Sequence, residues 1–356
     1  MKSIHIPSVT GHSLNKINNE IKKSLCDEFI FTTDINADIF IQHYVASIPN
    51  IKYEKTILIQ PIDGTIINPV HVKIMNSYDL IIAPSNSSKN IMISCGVKVP
   101  IVIIPNYFDD SLINENDSGY FLTNYPEKKY TFYSETTGIN RKNSENIVKY
   151  FIEEFRNTPE ADKVRLIMKF SSGNTRRMKI IQDMASQTGS PEVCIVNSWL
   201  NNADIDSLMR GADCYVSLSF MEGFCIPLLN AAVMKKDIIS MRTKISGYVD
   251  FINDQNAVLL NVKSIPIDAA SESLLIYSRK SKWEEPYYSE YKHAMRKLLY
   301  GSYKFYKSRN YTEFSKSSVM KMYKLAIESE VVKSIDVKNE ECMPQFEFTP
   351  FSNSLF

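Results

Sequence analysis

Over its 356 residues the chain has no run of about 18 apolar residues, and its N-terminus lacks a basic segment leading into an apolar core. A membrane-spanning helix and an export signal are therefore both unexpected. The six cysteines, Cys26, Cys95, Cys194, Cys214, Cys225 and Cys342, form no CxxC pair and mostly lie in apolar segments. That argues against a disulfide framework and for reduced thiols in a cytoplasm. The five histidines, His5, His12, His43, His71 and His293, are scattered without an H-x-x-x-H pair, so no structural or catalytic metal is expected. Ser219 precedes Phe220-Met221-Glu222 and sits in no G-x-S-x-G elbow, which leaves Ser-His-Asp catalysis unsupported. Internal repeats and low-complexity tracts are missing as well, and a net charge of +1 singles out no partner.

What is present suits a globular protein of about two domains, since 44% hydrophobic content can fill two cores. The stretch from Ala212 to Ala232 is the most informative. Cys214 to Leu218 is an apolar, β-branched and aromatic run that reads as a parallel strand covered on both faces. Gly223 supplies backbone freedom for a turn and lets a ligand approach the main chain, and Pro227 suits the first turn of a following helix. A helix N-terminus at the carboxyl end of a parallel strand is a phosphate site in α/β proteins, and Glu222 beside it can accept hydrogen bonds from hydroxyls. Phosphate together with a polyol points to a nucleotide sugar.

Glu222-Gly223-Phe224-Cys225-Ile226-Pro227-Leu228-Leu229-Asn230-Ala231 resembles the E-G-F-G-L-P-L-L-E-A signature of retaining glycosyltransferases with the GT-B fold. Cys225 stands for the second glycine, and Asn230 for the second glutamate, which in the family usually holds the nucleotide ribose. An amide can still hydrogen-bond a diol but brings no charge. Val164 to Lys169 is similar to the family strand that ends in a cation near the donor diphosphate, which makes Lys169 a candidate. Tyr130 to Ser134 with Gly138-Ile139-Asn140-Arg141-Lys142-Asn143 resembles the strand and basic loop that open the family's C-terminal domain, so Arg141 and Lys142 are candidates for the leaving phosphates. Glu135, Thr136 and Thr137 are read as the intervening turn, where the usual arginine is missing. Ile245 to Phe251 and Trp283-Glu284-Glu285-Pro286 also resemble stretches of this group. The N-terminal half matches more weakly: Ser3 to Pro7, Ala37 to His43 and Lys55 to Gln60 read as strands, Asn76 to Lys89 as a strand and helix, and Val99 to Asn106 as the last strand.

The resemblance implies an α/β architecture of two Rossmann-like α/β/α domains facing a cleft, with a C-terminal helix crossing back. The acceptor domain would span residues 1–125, the nucleotide-sugar domain 126–325 and a tail 326–356. It implies a retaining, metal-independent transfer in which the departing β-phosphate takes the acceptor's proton and no protein nucleophile is needed. Glu222 would orient sugar hydroxyls, while Lys169, Arg141, Lys142, Gly11, Gly223, the amides of Phe224 to Ile226, Cys225 and Asn230 would hold the donor. Asp63 or His43 would place the acceptor hydroxyl. The donor is expected to be a UDP-sugar by default, with a GDP-sugar as an alternative and no further cofactor.

Between Arg279 and Lys324 lie twelve basic residues against four acidic ones, with many interleaved tyrosines. Helical spacing in Tyr291 to Leu299 and Phe314 to Leu325 lets those lysines simply solvate one face. A basic aromatic face also fits a phosphate backbone, so DNA joins lipid-linked glycan, protein and surface glycan as an acceptor. Composition rich in Ile, Lys, Asn and Tyr suits a bacterium of low GC content or a bacteriophage, where glycosylation of hydroxylated DNA bases is the second reading. A non-catalytic binding protein that keeps the fold is the third. The sequence leaves the oligomeric state open.

Overall fold

The computed structural model describes residues 1–7, 12–44, 53–114, 118–171, 175–268, 276–303 and 309–330. Six strands, β1 (Ser3–His5), β2 (Ile30–Thr32), β3 (Ile39–His43), β4 (Lys55–Ile59), β5 (Leu80–Ala83) and β6 (Ile101–Ile103), form a first sheet in the order β2-β1-β3-β4-β5-β6. Every neighbouring pair in it is parallel. Helices α1 (His12–Ser24), α2 (Pro69–Met75) and α3 (Asn86–Ser94) cover it. The middle strands β4 and β5 are buried along their whole length, which is why they read as continuous apolar runs instead of alternating ones. Two local devices start these helices. Pro69 opens α2, and the Ser85 hydroxyl caps α3 by accepting from the Ser88 amide.

After two short helices, α4 (Ser111–Asn114) and α5 (Gly119–Asn124), a second parallel sheet repeats the plan. Its strands are β7 (Tyr130–Thr136), β8 (Val164–Phe170), β9 (Glu192–Val196), β10 (Cys214–Val216), β11 (Asp237–Met241) and β12 (Val258–Leu260), in the order β12-β11-β10-β7-β8-β9. Helices α6 (Ser144–Phe155), α7 (Thr175–Ala185), α8 (Asn202–Gly211) and α9 (Ile226–Val233) flank it. Chain order reverses between β7 and β10, and this opens a crevice at their carboxyl ends. One strand is longer than its composition suggests: Glu135 and Thr136 continue β7, paired with Lys169 and Phe170 of β8. Three polar residues in a row hide a strand end whose ladder partner lies in another segment. Conversely the ladder of β10 stops at Val216, although the Ser217 amide still donates to the Ile239 carbonyl at 3.0 Å and Leu218 is buried.

A hairpin of β13 (Val262–Pro266) and β14 (Lys282–Pro286) and helix α10 (Tyr288–Leu299) follow, and α11 (Lys316–Glu328) then returns to the first sheet. Val319, Met320, Tyr323 and Ile327 of α11 pack with Ile4, Ile17, Ile21 and Ile57. Burying each such side chain contributes about 1.5–3 kcal/mol. The Lys55 ammonium reaches the end of α11 and donates to the carbonyls of Ala326 at 2.7 Å, Ile327 at 3.0 Å and Ser329 at 2.6 Å. The helix therefore runs past residue 325, and its last turns belong to the core of the first sheet. Among the described residues no helix is long and apolar enough to cross a membrane.

Candidate donor site at the switch point

The loop after β10 carries Glu222, Gly223 and Cys225 into α9. The left-handed residue in this turn is Cys225, with φ 75° and ψ 74°, and not Gly223. Glycine is needed at position 223 for proximity: a Cβ there would lie 2.8 Å from Pro61 Cβ and 3.2 Å from the Ile62 nitrogen. The chain that approaches is thus the loop after β4, from the first half of the molecule. Gly247 is tighter still, because a Cβ there would meet the Gly223 carbonyl oxygen at 2.0 Å. Its amide donates to the Glu222 carbonyl at 2.7 Å, and the Ser85 hydroxyl at the start of α3 donates to the Gly223 carbonyl at 2.8 Å. Further along, the Ser87 hydroxyl donates to the Ile245 carbonyl at 2.6 Å and the Asn86 amide to Asp250 at 2.9 Å.

Four charged side chains meet at this loop. Glu222, 5% exposed, pairs with Arg141 at 2.9 Å and Lys142 at 2.6 Å, and Arg141 also pairs with Asp63 at 3.3 Å. The remaining Asp63 oxygen accepts from the Gly223 amide at 2.9 Å. Arg141 and Lys142 lie in a single 3-10 turn, Asn140–Lys142, after β7, and the Arg141 guanidinium also donates to the Met221 carbonyl. Burial pushes the Glu222 carboxyl up, but Arg141 and then Lys142 outweigh it and hold the group at about 2. Asp63 moves the other way: burial raises it, Arg141 opposes, and the neighbouring Glu222 charge raises it further. For Arg141 burial favours loss of the proton, yet the two carboxylates raise its pKa overall. One guanidinium thus bridges a carboxylate from each half of the molecule.

The other candidates are distributed around this cluster. Lys169, 5% exposed at the end of β8, donates to the Phe170 carbonyl at 2.6 Å. Burial lowers its pKa, and Glu135 opposes that shift. Asn230 sits on α9 with a buried Oδ1 that accepts no hydrogen bond. Phe224 contributes to the core, where its ring lies 5.1 Å from that of Phe251, so only its main chain can face a ligand. The side chain of Ile226 packs beside the same core. His43 ends β3, 3% exposed, with neither ring nitrogen hydrogen-bonded, and burial lowers its pKa to about 4. It is therefore neutral at pH 7. Gly11 lies outside the described residues. A cavity of about 400 Å³ lined by Leu112, Arg210, Val233 and Lys236 lies apart from these residues.

Several residues that complete the site were not singled out by sequence reasoning. The Tyr277 hydroxyl accepts from the Asp63 amide at 2.7 Å, and the Trp283 indole donates to the Asp63 carbonyl at 2.9 Å. Both therefore fix the Asp63 loop from the hairpin side. Tyr44, next to His43, has its pKa raised by burial and then by the Asp63 charge, which puts it beside the cluster. Glu135 was read as a turn residue. Trp283 had a signal, since it opens the Trp-Glu-Glu-Pro stretch; Tyr277 and Tyr44 had none.

Among the described residues no group of three His, Cys, Asp or Glu side chains could hold a metal ion, and five cysteines are free thiols. Comparison with known proteins gives the architecture a name. Residues 126–282 match the model of the family glycosyl transferases group 1. The HepE protein of Anabaena, solved in complex with UDP-glucose, is similar in structure with a TM-score of 0.63 at 12% identity, over 92% of this chain and 99% of that one. The lipopolysaccharide outer core galactosyltransferase WaaB, in its apo form, gives 0.59 at 14% identity, over 92% and 99%. A UDP-forming α,α-trehalose-phosphate synthase from Burkholderia xenovorans gives 0.59 at 11% identity, over 90% and 79%. No curated protein sequence matches the chain significantly. The molecule has the GT-B fold of these glycosyltransferases, and its residues 126–282 match the glycosyl transferases group 1 model.

Proposed function

We propose that the protein transfers a sugar, with retention, from a UDP-sugar to a hydroxyl acceptor, and that it needs no divalent ion to do so. The observation that carries this reading is the Glu222–Arg141–Lys142 cluster at the switch point, beside the N-terminus of α9. Two cations there can take the charge of a departing diphosphate. Doing so releases Glu222, whose carboxylate then accepts hydrogen bonds from the sugar. The bond from the anomeric carbon to the β-phosphate oxygen breaks, the bond to the acceptor oxygen forms on the same face, and the acceptor proton passes to the β-phosphate. Lys169 is a third cation for the diphosphate, and His43 or Asp63 a polar group for the acceptor. Thermal stabilisation by UDP-, GDP-, ADP- and dTDP-sugars tests the donor. A shift selective for UDP-sugars that shrinks in Glu222→Gln is expected; no shift with any of them favours a binding protein without transferase activity.

One surface feature favours DNA as the acceptor. Arg279, Lys280 and Lys282 are exposed at the start of β14, next to the Asp63 loop, and form no ion pair among the described residues. If they contact phosphates, binding of hydroxymethylated duplex weakens steeply between 50 mM and 200 mM salt, by about tenfold or more, and less so in the triple alanine variant. Salt-independent binding removes this reading.

A further inference from the structure

The second sheet brings another carboxylate to the same crevice. Glu135 lies on the face of β7 that carries Tyr133, two residues earlier, and Tyr133 packs with Leu208 of α8 and with Leu228 and Leu229 of α9. Its Oε1 accepts from the Tyr133 hydroxyl at 3.2 Å, and its carboxylate enters no ion pair among the described residues. Lys169 faces it across the β7–β8 register. Glu222 differs, because Lys142 holds its Oε1 and Arg141 its Oε2. The neutral Asn230 amide on α9, the same helix that covers this face, offers an oxygen that accepts nothing. In doubly wound α/β folds a carboxylate near the strand ends holds the ribose, since one carboxylate can accept hydrogen bonds from a vicinal diol.

Resting on the donor reading above, we propose that Glu135 holds the ribose diol of the donor nucleotide and selects ribonucleotides over 2′-deoxyribonucleotides. It supplies the charge that Asn230 lacks. Five groups face it: Tyr133 from its own strand, Asp206 from α8, Lys169 from β8, Lys142 from the 3-10 turn and Tyr215 from β10. Burial pushes its pKa up to about 7, opposed by the Tyr133 hydrogen bond and by Lys169 and Lys142, and reinforced by Asp206. The ionised fraction, and ribose selectivity with it, therefore grows from pH 6 to pH 8.

Calorimetric titration with UDP-glucose and 2′-deoxy-UDP-glucose at both pH values tests this in wild type, Glu135→Gln and Asn230→Ala. Wild type at pH 8 is expected to bind the ribose form about ten- to a hundredfold more tightly, the range of a hydrogen bond to a charged group. That ratio should fall at pH 6, collapse to about threefold or less in Glu135→Gln, and persist in Asn230→Ala. Glu135→Asp keeps the charge and should retain part of the ratio, which guards against a fold defect in the glutamine variant. An unchanged ratio in Glu135→Gln, or a ratio lost only in Asn230→Ala, overturns the assignment. Failure of both nucleotide sugars to bind wild type overturns the donor reading itself, and the assignment with it.

Discussion

Cys225 occupies a backbone region that costs a side-chain-bearing residue about 1–2 kcal/mol, and its buried thiol touches the Ser217 hydroxyl at 3.8 Å. Glycine would remove the strain but forfeit the buried sulfur. Cys225→Gly is therefore expected to unfold in urea within about 1 kcal/mol of wild type, and Cys225→Val, stiff at Cβ, to lose about 2 kcal/mol or more. Two carboxylates of the site should titrate with opposite effects on stability. Glu222 is held at about 2, below its unfolded value, so its contribution is present above about pH 4.5 and lost as pH falls toward 2. Glu135 is raised to about 7, so the folded state holds a proton that the unfolded state has released, and stability falls as pH rises from about 4.5 to 7. Urea titrations between pH 3 and 8 should show Glu135→Gln gaining stability relative to wild type toward pH 8. Glu222→Gln should lose about 3 kcal/mol at pH 7, where it strips a buried partner from two cations.

At the level of single elements, the turn from β10 to α9 is held from outside. Gly247→Ala puts a methyl group where the Gly223 carbonyl stands, so an expected loss of about 2 kcal/mol or more should accompany weaker nucleotide-sugar binding, both readable from thermal shifts with and without UDP-glucose. Much of this element was legible in sequence. The apolar run at Cys214, Pro227 in the first helical turn and Glu222 between them all follow from local rules, and Arg141 and Lys142 do join Glu222. The reason for Gly223 was not legible, because it depends on Pro61 and on Asp63, which lies 160 residues away in the chain. Glu135 was hidden for a related reason: its own neighbours are polar, and only the ladder with β8 reveals that it is a strand residue facing inward.

On the scale of the whole molecule, the two halves are joined by more than a linker. Phe220, Met221, Tyr277 and Trp283 share one core with Leu58, Ile62 and Met92 of the first half. At the opposite end α11 docks on the first sheet, and Lys55 satisfies the carbonyls that a helix C-terminus leaves open. Lys55→Met keeps the aliphatic stem but leaves those carbonyls unmet, and a loss of about 2–3 kcal/mol is expected by urea unfolding. Accelerated proteolysis between α10 and α11 should accompany it. Little change in either would mean that apolar packing alone docks the helix. The general two-sheet plan was legible through the resemblance of its motifs and apolar runs to the GT-B family. The docking was not, since the charged Lys55 gives no hint that it faces a helix 271 residues further on.

That last helix also orders events during synthesis. The first sheet leaves the ribosome before the second, yet Val319, Met320, Tyr323 and Ile327, which close its core, are made only after the second sheet is complete. The second sheet, whose strands lie within residues 130–260, can mature while the first still exposes an apolar face. In vectorial folding the half made first of the two is thus finished after the other, and until α11 emerges that face is a surface for chaperones to cover.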